Sequence, residues 1–167
     1  MKTNEICNII KNDLLNNGYQ YGFIVDGKKY TPNMSSGFDS EYYHLTTTIY
    51  RVQSPLVTMQ EKIGTCIDAC LVMKHILTEK NVSSKIWLLY NKSKNKVHTI
   101  TTFEAEDKIV YLELTPQSNK ICYGKEIMFD SIEDFVQAFH NDGITVEEIT
   151  DELVVGEQPL VLINKTN

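Results

Sequence analysis

Three features that would quickly assign a chain to a class are missing from this sequence. It has no run of about 20 apolar residues, the length that a membrane-spanning helix needs. Its first residues do not form the continuous apolar stretch of a signal peptide, because Asn4, Glu5 and Lys11 interrupt them. It also lacks an excess of positive charge, since 16 Lys and Arg against 22 Asp and Glu give a formal net charge of -6. We therefore expect a cytoplasmic protein that binds neither a membrane nor nucleic acid.

Cysteine is also scarce, with four residues (Cys7, Cys66, Cys70 and Cys122) in a chain of 167. Without a secretory signal this count does not indicate a disulfide scaffold, so we expect reduced thiols, any one of which could be reactive. A metal site made of Cys66 and Cys70 with His98 or Cys122 is a weak alternative, because structural zinc sites mostly use a closer Cys-x-x-Cys pair. We expect no metal and no organic cofactor.

The composition is that of one globular domain. Apolar residues make up 42% of the chain and charged residues 23%, which is ordinary for a folded protein of this size. The sequence contains no internal repeat and no linker that would divide it. We expect a single domain over residues 1–167, with its core at about residues 55–125.

Hydrophobic periodicity predicts three helices. The first begins after a cap at Asn4 and ends near Gly18, and a third is predicted at Ser131–Phe139. The clearest lies at Gly64–Thr78, where apolar residues cover most of the helix circumference. Such a helix is a buried one, so we expect it at the centre of the domain.

The remaining patterned segments favour strands. The Asp26–Gly27 pair predicts a tight hairpin, and three apolar runs after the buried helix predict an antiparallel meander. Extended structure is also expected in a Thr-rich segment and in two short apolar runs near the end of the chain. In chain order the meander and these other segments are Tyr42–Val52, Lys85–Tyr90, Val97–Phe103, Lys108–Leu114, Ile144–Ile149 and Leu160–Ile163. The predicted fold class is α+β, with a buried helix packed on an antiparallel sheet.

Cys66 directly follows Gly64 and Thr65, at the predicted start of the buried helix. A thiol at a helix N-terminus faces unpaired backbone N–H groups and the positive end of the helix dipole, and both favour the nucleophilic thiolate. The preceding glycine lets a substrate backbone approach closely. Taken alone, however, Cys66 is as well explained as a small buried apolar residue.

His98 and Glu113 give the cysteine a chemical context. His98 begins one strand of the meander, and Glu113 lies at the end of the next strand among apolar residues. A carboxylate is costly to bury without a partner, and it could orient an imidazole that acts as base toward Cys66. Gln60, six positions before Cys66, is a candidate side-chain donor to the oxyanion, with the Cys66 N–H as the other donor.

Taken together, these segments resemble the papain-like and transglutaminase-like cysteine protease superfamily. The distance from Gln60 to Cys66 is similar to the glutamine-to-cysteine spacing of papain-like peptidases. The helix Gly64–Leu77, the strand Val97–Phe103 and the segment Ile109–Pro116 are similar, in that order, to the transglutaminase-like core. The resemblance covers about a third of the chain and implies a Cys66–His98–Glu113 triad with Gln60 at the oxyanion. Two departures are a Glu where the family usually has Asp and no Trp or Tyr closely following His98.

The resemblance implies thiol-dependent acyl transfer on amide bonds of a peptide or protein substrate. Hydrolysis, deamidation and cross-linking all remain open, because they differ only in whether water or an amine resolves the acyl-enzyme. The competing hypothesis is a catalytically inactive peptide- or protein-binding module on the same fold, in which Asp68, Trp87 and Tyr90 line a peptide groove.

Overall fold

The fold is mixed α+β, built on a five-stranded antiparallel sheet with helices on both faces. A computed structural model of the chain describes residues 1–33, 40–114 and 124–166. Its helices are α1 (Thr3–Leu14), α2 (Ser40–Thr48), α3 (Pro55–Glu61), α4 (Cys66–Glu79), α5 (Ile132–Asn141) and α6 (Leu160–Thr166). Its strands are β1 (Gln20–Tyr21), β2 (Phe23–Val25), β3 (Lys28–Tyr30), β4 (Ile63–Gly64), β5 (Ser84–Asn91), β6 (Lys96–Ala105), β7 (Lys108–Leu112), β8 (Glu126–Phe129) and β9 (Thr145–Glu148).

The main sheet has the strand order β8-β7-β6-β5-β9, and every neighbouring pair is antiparallel. The predicted meander is confirmed as β5, β6 and β7. A short 3-10 turn at Lys92–Lys94, ending at Asn95 with φ 48°, joins the first two strands. The pairing of β6 with β7 covers only Thr102 to Ala105 of β6. This ladder therefore does not include the first half of β6, where His98 and Thr99 lie.

Helices cover the two faces of this sheet unequally. On one face, α1 and α4 pack against apolar residues of β6 and β7, with Met73, Leu77, Phe103 and Leu112 at the centre of the cluster. On the other face, Phe135 of α5 is fully buried against Trp87, Ile100 and Tyr111. The predicted central position of the Cys66 helix is confirmed, since nine residues of α4 are buried.

The sequence prediction was wrong in two segments. Residues 42–52 were expected to be extended because of their threonines, yet Ser40–Thr48 is helical. Thr46, Thr47 and Thr48 each donate a hydroxyl hydrogen bond to a carbonyl three or four residues earlier, and buried Tyr42 packs near Tyr21 and Phe23. Local hydroxyl bonding and aromatic packing therefore outweigh the strand propensity of threonine.

The second error is at the end of the chain, where Leu160–Ile163 was expected to be an edge strand. It begins α6, and the Pro159 carbonyl accepts hydrogen bonds from the N–H groups of Leu162 and Ile163. A proline just before a helix suits its fixed φ and missing N–H. The sequence reading also missed α3, although Ser54 followed by Pro55 is a start signal for a helix, and it missed β8.

At the N-terminus, α1 is present but begins earlier than predicted. Lys2, not Asn4, is the capping residue, and its backbone N–H donates to the side chain of Glu5 at 3.0 Å. The hairpin is confirmed, with β2 paired to β3 and positive φ at both Asp26 and Gly27. Most of the predicted loop at Pro32–Ser40 lies outside the described residues.

Candidate active site

A buried polar network fixes the start of α4, the helix that carries Cys66 at its first position. The Thr65 hydroxyl accepts from the backbone N–H of Asp68, which caps the helix. The fully buried Asp68 carboxylate accepts from four donors: the Tyr50 hydroxyl at 2.7 Å, the Gln53 N–H at 2.9 Å, the Thr65 N–H at 2.9 Å and the Thr65 hydroxyl at 3.1 Å. Burial raises the pKa of Asp68 to about 6, against the lowering effect of these hydrogen bonds. Asp68 thus ties the first turn of α4 to the segment that precedes α3.

Gly64 lets the chain enter α4 in a crowded space. A Cβ atom at this position would lie 2.8 Å from the Asp68 Cβ, 2.8 Å from the Tyr19 hydroxyl and 2.9 Å from the Thr58 Cγ2. All three distances are shorter than real Cβ contacts, so only glycine fits. The sequence reading gave Gly64 the role of admitting a substrate, whereas here it admits neighbours from the protein itself.

The structure brings Cys66, His98 and Glu113 together. His98 Nε2 lies 2.8 Å from Glu113 Oε2, and the imidazole also forms a hydrogen bond with the Cys66 thiol. Because Glu113 occupies Nε2, the ring nitrogen left for the sulfur is Nδ1. The Glu113 side chain is 1% exposed, and its Oε2 also accepts a hydrogen bond from the Tyr111 hydroxyl. The carboxylate is therefore satisfied in its buried position by two donors.

The Cys66 sulfur lies at the edge of the sheet, where β6 has no partner in the β7 ladder. There the backbone N–H of Thr99 donates a hydrogen bond to the sulfur. This donor is available because the pairing of β6 with β7 begins only at Thr102. The end of one strand pairing thus supplies a main-chain donor to the thiol. The sequence reading did not identify Thr99, since no sequence signal shows where a ladder stops.

The electrostatics of the site favour an ion pair between sulfur and imidazole. Burial by itself raises the pKa of the Cys66 thiol, but the hydrogen bond and charge of His98 and the hydrogen bonds of Thr99 outweigh it, so the pKa is lowered. For His98, burial lowers the pKa, and the charge of Glu113 with the bonds to Cys66 and Glu113 raises it to about 9. A thiolate beside an imidazolium is the reactive form of a cysteine nucleophile.

Tyr21 is a second residue that the sequence reading missed. Its hydroxyl accepts a hydrogen bond from the backbone N–H of Cys66. Burial, followed by the charge of Cys66, raises the pKa of Tyr21 well above its usual value, so the phenol keeps its proton. Nothing in the spacing of Tyr21 and Cys66, 45 positions apart, could have predicted this contact.

Gln60 is placed differently from the three triad candidates. It lies on α3, and its side chain is exposed. Among the described residues, no hydrogen bond joins its amide to Cys66. A different glutamine, Gln53, is buried nearby, but its amide donates to the Thr58 hydroxyl and the Ile63 carbonyl, and it accepts from the Ile24 N–H. Gln53 therefore holds the backbone together and has no amide N–H left to donate to an oxyanion.

The other cysteines have different surroundings. Burial raises the pKa of Cys7 to about 11 and raises the pKa of Cys70 further, so neither thiol is activated. Cys122, which entered the metal alternative, lies outside the described residues. In residues 1–33, 40–114 and 124–166 no group of three His, Cys, Asp or Glu side chains is arranged to hold a metal ion.

The predicted peptide groove is not formed as expected. Asp68 is fully buried, and Trp87 is 5% exposed with its indole N–H donating to the Thr102 hydroxyl at 2.8 Å. Both side chains therefore belong to the interior, where a peptide could not reach them. Apolar, partly alternating strands such as β5 are buried on both faces when helices cover the sheet, which the sequence reading did not take into account at Trp87.

Comparisons with known proteins leave the family of the chain open. No protein-family model matches it, and no curated protein does. Among solved structures, LapG of Legionella pneumophila is similar at a TM-score of 0.48 and 13% sequence identity, over 98% of this chain and 76% of that chain. A likeness of this degree says nothing about activity, so function has to be argued from the site itself. In the part of the chain that the structure describes, no helix is long and apolar enough to cross a membrane.

Proposed function

We propose that the chain catalyses thiol-dependent acyl transfer on amide bonds of a peptide or protein, on a papain-like or transglutaminase-like core. Cys66 is the nucleophile, His98 the general base and acid, and Glu113 the carboxylate that orients the imidazole. The observation that carries the proposal is the continuous contact from sulfur to imidazole to buried carboxylate at the start of α4. These three groups are the parts that covalent catalysis by a cysteine requires.

In the first half of the reaction, the Cys66 thiolate attacks the carbonyl carbon of the substrate. A C–S bond forms while the π electron pair of the carbonyl moves onto its oxygen. The C–N bond then breaks, and the leaving amine takes the proton that His98 held on Nδ1. The products of this half are an amine and a thioester on Cys66, with His98 neutral.

In the second half, His98 accepts a proton from the incoming nucleophile, which attacks the thioester carbonyl. The C–S bond breaks, and the sulfur leaves as the thiolate beside the newly formed imidazolium. Water as nucleophile gives hydrolysis or deamidation, and a second amine gives cross-linking. Throughout the cycle Glu113 stays ionised and accepts from Nε2–H, which keeps Nδ1 facing the sulfur.

The cost of the arrangement supports an enzyme over a binding module. Burying a carboxylate and an imidazole behind a thiol requires desolvation that apolar side chains would avoid. Groups with strongly shifted pKa values that contact one another are typical of catalytic sites. A module that only binds a peptide has no need for a lowered thiol pKa at Cys66.

The proposal is tested by the selectivity of thiol alkylation. We expect iodoacetamide to modify Cys66 faster than Cys7 or Cys70, with a rate that rises with pH around a midpoint below that of an ordinary cysteine, because the thiolate reacts. Peptide mapping by mass spectrometry after short exposure identifies the modified residue. Cys66→Ala should remove the fast reaction, and Cys70→Ala is the matched control on the same helix.

The same protein should be acylated on Cys66 by p-nitrophenyl acetate, a small activated ester that needs no specific substrate pocket. Uniform, slow modification of all thiols with an ordinary pH midpoint would contradict the proposal and leave the inactive binding module as the better hypothesis.

A further inference from the structure

We propose that the Tyr21 hydroxyl, together with the Cys66 backbone N–H, forms the oxyanion-binding pair of this site. This inference rests on the proposed function and adds a residue to it. It replaces Gln60, whose exposed side chain on α3 is not bonded to the start of α4 among the described residues. It also gives a chemical role to a contact that connects the nucleophile to a distant part of the chain.

The backbone fixes the position of Tyr21 relative to the nucleophile. Strand β1 pairs in parallel with β4, and the register places Tyr21 opposite Gly64, two residues before Cys66. Main-chain hydrogen bonds hold this register on both sides, from the Gln20 N–H to the Lys62 carbonyl at 2.9 Å and from the Gly22 N–H to the Gly64 carbonyl at 3.1 Å. The ring of Tyr21 therefore approaches the first turn of α4 from a paired strand, which is a more rigid support than a loop.

The Tyr21 oxygen lies in front of the N–H group that should receive the oxyanion. Thiolate attack places the carbonyl oxygen close to the N–H of the nucleophile itself, because sulfur and nitrogen belong to the same residue. In the free protein that N–H donates to the Tyr21 hydroxyl. The phenol oxygen thus takes the place of the ligand oxygen and satisfies the amide until a substrate arrives.

When the tetrahedral intermediate forms, the Cys66 N–H turns from the phenol oxygen to the oxyanion. The phenol needs to move by no more than about one hydrogen-bond length and can then donate its O–H to the same oxyanion. No proton is transferred in this exchange. A hydrogen bond between neutral groups is replaced by two bonds to a charged oxygen, which are about twice as strong. The gain appears only in the intermediate, which is the condition for faster chemistry.

Tyr21 can play this role at the pH where Cys66 is a thiolate. Its raised pKa keeps the O–H available as a donor, because burial and the neighbouring sulfur charge both disfavour the phenolate. Tyr43 offers a comparison on the same side of the site. It is 50% exposed, and the charge of Cys66 also contributes to its raised pKa, after burial. The hydrogen bond from the Cys66 N–H, however, goes to Tyr21.

The test uses two probes of the same thiol, applied to the full chain. Iodoacetamide alkylates the thiolate by displacement at an sp³ carbon and develops no oxyanion, whereas p-nitrophenyl acetate acylates it through a tetrahedral intermediate. We expect Tyr21→Phe to slow acetylation of Cys66 by at least roughly tenfold, given that losing one oxyanion donor costs roughly 10²–10³ in enzymes acting on amides. The rate of alkylation by iodoacetamide should change by less than about threefold, because the thiolate itself is retained. Tyr43→Phe is the matched control and should leave both rates close to those of the unmodified chain.

Three results would overturn the assignment of Tyr21. An equal loss with both probes would mean that Tyr21 supports the thiolate or the fold, and unchanged rates with both would mean that it does nothing in the reaction. An equal slowing of acetylation by Tyr43→Phe would remove its specificity. Failure of the proposed function is distinguishable from all three, since it would appear in the unmodified chain as a Cys66 thiol without selective reactivity.

Discussion

Helices α4 and α5 begin with the same local pattern and use it for different ends. Thr65 and Asp68 start α4, and Ser131 and Asp134 start α5, in each case with the hydroxyl accepting from the N–H three residues later. Asp68 is fully buried and also bonds Tyr50 and Gln53. Asp134 is exposed and accepts from the Ser131 hydroxyl at 2.9 Å.

The difference teaches what burial adds to a helix cap. In α5 the motif satisfies free N–H groups and so marks where the helix begins. In α4 the same motif lies in a low-dielectric interior, where each of its oxygens also holds another part of the chain. The first residue of α4 is therefore fixed in three dimensions, and that residue is Cys66. The two helices can be compared directly by substitution at equivalent positions.

The largest effect should follow from removing the charge partner that only α4 has. We expect His98→Asn to lower the acetylation rate of Cys66 by roughly 10²–10⁴, the usual contribution of a general base, and to raise the midpoint pH of alkylation. The reason is that the imidazolium is the main group that lowers the pKa of the thiol against burial. Stopped-flow acetylation and a pH series of alkylation rates measure both effects. A midpoint equal to that of the unmodified chain would show that the helix start alone activates the thiol.

An intermediate effect should come from the two capping carboxylates. Asp68→Asn replaces one acceptor oxygen by an N–H₂ group that faces donors, so we expect it to lower the free energy of unfolding by about 2–4 kcal/mol. Asp134→Asn, at the equivalent exposed position of α5, should cost no more than about 0.5 kcal/mol. Urea unfolding of the two variants under one buffer condition measures the difference. Equal losses would mean that the Asp68 network stabilises no more than an exposed cap does.

The smallest effect concerns a thiol transferred from one helix to the other. In a Cys66→Ala background, Ile132→Cys places a thiol at the first position of α5, behind Ser131 and ahead of Asp134. The helix dipole alone contributes about 0.3–1 kcal/mol, which is less than one pKa unit at 1.36 kcal/mol per unit. We expect this thiol to titrate closer to an ordinary cysteine than Cys66 does, measured by its alkylation rate against pH. A midpoint as low as that of Cys66 would assign the activation to the cap and not to His98.

Local patterns were enough to predict a large part of this fold. The buried helix, the meander β5 to β7 and α5 each have a hydrophobic period and end signals within a few residues, so they are readable from the sequence. The helix α2 was not, because its Thr-rich segment is stabilised by the packing of Tyr42 on Phe23, a contact between distant segments. Propensity is a weak guide wherever tertiary contacts oppose it.

The candidate site divides in the same way. Cys66, His98 and Glu113 stand out in the sequence because a polar residue in an apolar element, or a thiol at a helix start, is chemically conspicuous. Tyr21 and Thr99 do not stand out, since their contribution comes from a strand register and from the point where a ladder ends. The spacing of Gln60 suggested a role that its exposed position on α3 does not support.

The missing side chain at position 64 has a consequence for recognising related sites in other sequences. Even an alanine there would bring a methyl group to 2.8 Å from Asp68 and Tyr19, and the first turn of α4 would have to retreat with its sulfur. A sequence that kept the cysteine, the histidine and the acid but replaced this glycine would therefore carry every reacting group without their alignment. The hydrogen atom at position 64 is thus as diagnostic of a working site as the groups that react.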